Sequence, residues 1–281
     1  MASDVTDMPA NDDAAAEIDR LRDEITDNGF GIARNIIAPA EIAQLRAFWL
    51  GEFSRDMHPT PIVWGPHLGE QNRVLFHRSD DCCMYRSYDF LWNPPIQDLT
   101  RDVGLRLSRM RNRIARVDLR AGEYFETDGY GVYITTSYYP PDAGWLAVHE
   151  DRADERRHWH FMLLLTFKGD DYVDGGLHIE DRHGRRIDVD SQVRAGDAVF
   201  FDGSRPHGVD VIRPATPDGL GRLQLFSIPT FMERPQDNDR MVESISLGRF
   251  AKAKLRPWKR RLFGASGGGY GRPIDQSGEQ T

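Results

Sequence analysis

The hydrophobic rhythm of the chain changes at about residue 120. Before that point apolar residues recur every three or four positions. After it they fall in short runs rich in Tyr, Val, Ile, Thr and Phe, broken by Gly, Pro and Asp. No single kind of element keeps one face apolar under both patterns, so the chain must build helices first and then many short strands. Ile18, Leu21 and Ile25 mark a first helix that Asn28-Gly29 ends, with a short extended run over 30–37 behind it. Pro39 suits the first turn of a second helix whose stripe is Ile42, Leu45 and Trp49. The third stripe is the longest: Ile96, Leu99, Val103, Leu107, Met110 and Ile114. Strands are expected over 130–139, 159–168, 176–181, 186–190, 198–201, 208–212 and 222–228. Short strands with turns between them, preceded by helices, predict a mainly β fold, a sandwich or jelly roll with a helical buttress on one side.

Composition sets the outer bounds. With 281 residues, 40% hydrophobic and 28% charged, the chain has the makings of a globular core. Residues 1–17 are small and acidic and are expected to form a flexible tail. A single domain is expected over 18–263, made of a helical part 18–120, the β core 121–235 and a basic helical segment 236–263, with a flexible Gly-rich tail 264–281. Eight bases and no acid lie in 249–272, among them Arg249 and Lys259; a solvated terminal helix accounts for them better than an anionic membrane, a nucleic acid or an acidic partner. The net charge of −8 disfavours wholesale nucleic-acid binding. No stretch approaches the roughly 18–20 apolar residues of a membrane span. Six acids and no base among the first 19 residues reverse the polarity of a secretion signal, so a cytoplasmic address is expected. Cys82 and Cys83 are adjacent, a poor geometry for a bridge, and are expected as reduced thiols.

The chemistry concentrates in three places: His149-Glu150-Asp151, then His207 in Ser204-Arg205-Pro206-His207-Gly208, then Arg222 fifteen positions on. At strand spacing His149 and Asp151 point the same way and Glu150 points away. Two imidazoles and one carboxylate on one face of an octahedral Fe(II) leave three positions for other ligands, which an oxygen-activating site requires. A competing His178-Ile179-Glu180 lies only 27 positions before His207, whereas the 56 from Asp151 hold the four or five strands that bring two edges of a jelly roll together. The spacing favours Asp151. His158 and His160 form a His-x-His pair without the acid a cupin site would need next, so they are expected to line or flank a cavity. Trp145, Trp159 and Phe161 are expected in the core.

In this order the motifs resemble the iron(II)- and 2-oxoglutarate-dependent oxygenase superfamily. The likeness extends to Tyr139-Pro140-Pro141 with Gly144, to Gly175-Gly176-Leu177-His178-Ile179 and to the Gly-Asp before Ala198, and covers about 28–231. Residues 28–49 look like the phytanoyl-CoA-hydroxylase-like branch and 175–225 like the prolyl-hydroxylase-like branch. The resemblance implies a double-stranded β-helix (jelly roll, cupin-like) core. It also implies that His149, Asp151 and His207 bind Fe(II), and that Arg222 pairs with the distal carboxylate of 2-oxoglutarate, Arg213 being the rival. Gln224 stands where many relatives have Ser as second anchor; Tyr139, Tyr133 or Thr135 would supply a hydroxyl.

The activity so implied is a 2-oxoglutarate-dependent dioxygenase that uses dioxygen, most simply to hydroxylate an unactivated C–H of a small, biosynthetic molecule with release of succinate and CO2. The carboxylate Asp151 argues against the radical-halogenase subset. Two alternatives stand beside this one: a protein or peptide side-chain hydroxylase of the same superfamily, and a noncatalytic metal-binding jelly-roll protein. Residues 54–93, expected to be irregular and rich in aromatic and polar groups (His58, Trp64, His67, His77, Arg78, Tyr85, Arg86, Tyr88 and Trp92), would contact the substrate.

Overall fold

The computed structural model of the protein describes residues 12–60, 71–123, 129–151 and 159–232. The helical stripes form α1 (Asp12–Asn28), α2 (Pro39–Phe53) and α3 (Asp98–Ala115). The strands are β1 (Phe30–Ala33), β2 (Pro59–Thr60), β3 (Arg73–Arg78), β4 (Cys82–Phe90), β5 (Gly129–Tyr139), β6 (Trp145–His149), β7 (Trp159–Leu164), β8 (Tyr172–Glu180), β9 (Arg186–Asp188), β10 (Ala198–Asp202), β11 (His207–Pro214) and β12 (Arg222–Met232).

Hydrogen bonding runs along one path, β1-β10-β7-β12-β5-β4-β6-β11-β8-β9, with β3 also on β4 and β2 on β3. Every pairing is antiparallel except β2 with β3. The path turns at β4 and β6, where Cys82 and Cys83 pair with Leu146 and Trp145. Beyond that turn the second limb faces the first, because one cavity takes wall residues from both, such as Met162 and Phe226 on one side and Leu177 and Val209 on the other. This curled antiparallel sheet is the expected jelly roll.

The helices cover the outer face of the first limb. α1 packs on β1 and β10, and α3 on β5, β7 and β12. The stripes read from the sequence are the buried ones: Leu21 and Ile25, Ile42, Leu45 and Trp49, then Val103, Leu107 and Ile114. Trp49 donates its indole N–H to Thr100 (2.8 Å) and ties α2 to α3. Helix and sheet approach closely at Gly104, where a Cβ would lie 2.7 Å from Cγ2 of Ile134. β7 is buried at every position because helices cover one side and the cavity the other, which explains an apolar run broken only by His160.

Three expectations change. α1 starts at Asp12, inside the segment expected as a tail, because Ala14-Ala15-Ala16-Glu17 are strong helix formers. The described residues of 54–93 are not an irregular covering: they supply β2, β3 and the buried strand β4, whose alternating Cys82, Met84, Arg86, Tyr88 and Phe90 carry a charge that obscures the apolar pattern. β6 is a strand that the turn-rich stretch around it concealed. The expectations for Trp64, His67, His158, the basic segment 249–272 and the tail 264–281 lie outside the described residues. Among the described residues no helix is long and apolar enough to cross a membrane.

Candidate metal centre and its cavity

β6 ends, and β11 begins, on one register pair: His149 opposite His207. Residues directly opposed in an antiparallel pair project to the same face, and the two rings lie 4.3 Å apart, centroid to centroid. Each ring is oriented by its own chain. Nδ1 of His149 donates to the carbonyl of Ala147 (2.9 Å), and Nδ1 of His207 to that of Arg205 (2.8 Å). With Nδ1 carrying the proton, each Nε2 presents a lone pair, the form in which histidine binds a metal.

Asp151 lies two residues beyond His149, and its N–H donates to the carbonyl of Gly203 (2.8 Å), which fixes it beside the β10–β11 turn. Its Oδ1 is 3.8 Å from Nε2 of His149 and its Oδ2 is 3.6 Å from Nε2 of His207. One ligand atom from each of the three residues lies within 4.8 Å of the others. These separations are too long for hydrogen bonds and leave a gap faced by two lone pairs and a carboxylate. His160, on β7, puts Nε2 2.9 Å from Oδ2 of Asp151, but off the direction of a hydrogen bond, so both atoms are left without a partner. Buried carboxylate oxygens are rarely left so; a cation in the gap would satisfy them, and the donor set fits a divalent transition metal.

The electrostatics agree. Burial alone would raise the Asp151 carboxyl, but the His160, His207 and His149 rings hold it well below the usual carboxylate range. Burial, with His149 alongside, pushes the His207 imidazole down to about 3. Near neutral pH the pair is therefore a carboxylate and a neutral imidazole, as metal binding requires.

The gap opens on a cavity whose walls are mostly apolar, with Tyr139, Gln224 and Arg86 as its polar groups away from the triad and His160. Apolar walls with a few convergent polar groups are the chemistry of a ligand site. Tyr139 and Gln224 are wall residues of this cavity. Burial pushes the Tyr139 phenol up, so it stays protonated. Arg222 shares a sheet face with Gln224 but is not a wall residue. Its Nε and Nη2 donate to Oδ2 and Oδ1 of Asp190 (2.5 and 3.0 Å), and both side chains are 0% exposed. Arg213 pairs at the surface with Asp142. Thr135 donates to the backbone carbonyl of Ser87, and Tyr133 stacks on Tyr88, so neither reaches the cavity. His178 is not part of the metal-ligand group; it turns to Arg186. Trp159 and Phe161 are in the core, and His160 lines the cavity. Asp190, the partner of Arg222, carries no motif and escapes sequence reasoning. Arg86 stood among the expected substrate contacts, and its signal was a charge on the apolar face of a strand.

No protein-family model matches the chain, and no curated protein matches it. Solved structures do share its fold. A prolyl-4-hydroxylase from Pseudomonas putida is 19% identical with a TM-score of 0.53, over 76% of this chain and 98% of that one. The non-heme alpha-ketoglutarate-dependent epimerase SnoN from nogalamycin biosynthesis is 12% identical with a TM-score of 0.50, over 76% and 83%. The carbocyclase SnoK from the same biosynthesis is 15% identical with a TM-score of 0.50, over 78% and 87%.

Proposed function

We propose that the protein is an iron(II)- and 2-oxoglutarate-dependent oxygenase that hydroxylates an unactivated C–H bond of a small molecule, releasing succinate and CO2. One observation carries this: His149 and Asp151, and His207 56 positions beyond Asp151, face one gap at the wall of a largely apolar cavity. The fold supports it, since alpha-ketoglutarate-dependent enzymes are among the proteins that share it.

The residues divide the work. His149 and His207 would bind the metal as neutral imidazoles and Asp151 as its single anion, which leaves the centre cationic and receptive to an anionic co-substrate. The ion, with 2-oxoglutarate and dioxygen bound, supplies oxidising power that no side chain possesses. The carbonyls of Ala147 and Arg205 hold the rings in place, Leu146, Met162, Phe201 and Phe226 keep water out, and Tyr139 stays a neutral donor.

Anaerobic titration with Fe(II) and then 2-oxoglutarate tests the proposal. The expected result is one metal per chain and a visible charge-transfer band, both absent in His149→Ala and Asp151→Ala. A folded wild type that binds zinc but shows no band with Fe(II) and 2-oxoglutarate would refute it in favour of a noncatalytic metal-binding protein. Coupled succinate release on panels of small molecules and of peptides then decides the substrate, and turnover confined to peptides would replace the small-molecule assignment.

A further inference from the structure

The two buried arginines near the cavity differ in one respect: one is already neutralised. Arg222 has Asp190 across both Nε and Nη2. Its Nη1 donates to Oε1 of Gln224 (2.5 Å) and its Nη2 also faces Sδ of Met162 (2.9 Å). Asp190 is held in turn by the Tyr172 hydroxyl (2.7 Å) and the Leu177 N–H (3.1 Å). Gly176 leaves the space, since a Cβ there would stand 2.3 Å from Oδ2 of Asp190. The pair is closed, neutral and behind the cavity wall.

Arg86 is the opposite case. Arg86, Ser137 and Gln224 form one row across β4, β5 and β12 and share the inner face. Arg86 is 3% exposed and lines the cavity. Its Nε donates to Oγ of Ser137 (3.1 Å), and the Phe226 ring lies 5.0 Å from its guanidinium carbon. Among the described residues no carboxylate pairs with it. The other charged wall residue, Asp151, faces the metal gap with His149 and His207. Beside Arg86, Oη of Tyr139 is buried with no hydrogen-bond partner, and Gln224, having given its oxygen to Arg222, keeps its amide N–H2 for the cavity.

An uncompensated buried cation is costly unless something pairs with it. A planar guanidinium beside an unpartnered hydroxyl and a free amide matches a carboxylate. We therefore propose that Arg86, with Tyr139 and Gln224, binds the distal carboxylate of 2-oxoglutarate, and that Arg222 with Asp190 is a structural pair. This rests on the oxygenase assignment and reassigns the anchor that sequence resemblance gave to Arg222.

The test compares anaerobic, Fe(II)-dependent binding of 2-oxoglutarate with that of 2-oxopentanoate, which has a methyl group in place of the distal carboxylate. Calorimetry and the visible band are the readouts. Wild type is expected to prefer 2-oxoglutarate by about 10–100-fold, the range of a charge-assisted contact. Arg86→Met should bring the two acids within about threefold by weakening 2-oxoglutarate alone. It should also raise the melting temperature of the free protein, because an unpaired buried charge is gone. Arg86→Lys, which keeps the charge and loses the fork, should retain part of the preference. The double variant Arg222→Met with Asp190→Leu should keep most of the wild-type preference, losing only the share of Gln224, whose oxygen Arg222 holds. An unchanged preference in both Arg86 variants, or a loss confined to the double variant, overturns the assignment of Arg86 and leaves the oxygenase reading standing. A wild type that binds metal and neither keto acid overturns the oxygenase reading itself.

Discussion

Asp190→Ala isolates the role of the buried pair. The substitution leaves the Arg222 guanidinium uncompensated, and it strips the Tyr172 hydroxyl and the Leu177 N–H of their acceptor. Both ionic side chains are 0% exposed, so solvent does not screen the loss. Removing one partner of a buried ion pair costs about 3–5 kcal/mol. At about 2–4 °C per kcal/mol for a domain of this size, the melting temperature should fall by about 6–20 °C. Scanning calorimetry reads the shift directly, and urea unfolding at 25 °C gives the free energy independently. The double variant Asp190→Leu with Arg222→Met removes both charges and leaves apolar side chains of similar length. It still leaves the Tyr172 hydroxyl and the Leu177 N–H without their acceptor but no charge uncompensated, so it should melt above the single variant. A single variant that melts within about 2 °C of wild type would mean that Arg222 is free to leave Asp190. The description of the pair as closed would then be wrong, and the case for Arg86 would weaken with it.

Two further predictions concern the metal centre and the buttress. The metal-free protein should lose stability as pH falls from about 6.5 toward 3: in that interval the unfolded chain protonates the residue corresponding to His207 while the folded chain, whose imidazole is pushed down to about 3, does not. The Asp151 carboxyl, held low by its imidazoles, adds a loss below its ordinary value of 3.8. Urea midpoints across pH should show the first slope in wild type and a shallower one in His207→Gln, the remainder coming from His178, whose imidazole burial pushes down to about 4; a flat wild-type profile refutes the environment described. Gly104→Ala would gain about 1 kcal/mol from helix propensity alone, but its Cβ would meet Ile134 at 2.7 Å, an overpacking cost of about 1–3 kcal/mol. Calorimetry should show no gain or a net loss, and a higher melting temperature would mean that α3 does not sit this close to β5.

How much of this could be read from the sequence depended on how far each pattern reached. The stripes Ile42-Leu45-Trp49 and Val103-Leu107 were legible because a helix declares its buried face within a few residues. Most of the strands from β5 onward were legible for the same reason. β4 was not: Arg86 and Tyr88 share a face with Cys82, Met84 and Phe90, so its alternation has a charge in the middle, and its identity as a strand depends on β3, β5 and β6, which pair with it from elsewhere in the chain. α1 was shortened because a run of alanine and acid has no apolar stripe, although its propensity suffices.

The site divides in the same way. His149 and Asp151 announce themselves by a two-residue spacing, and His207 by its distance from them, because the register of a jelly roll converts chain separation into proximity. The carboxylate end has no such code. Arg222 and Arg86 are equally basic in the sequence, both lie on core strands and both are buried. They differ because Asp190, 32 positions before Arg222, folds back against one of them through a three-residue turn, while no described acid reaches the other. Position along the strand says where a guanidinium points. What it is free to bind is set by the acid that the fold puts across from it, and on that criterion Arg86 is the cation left for an incoming carboxylate.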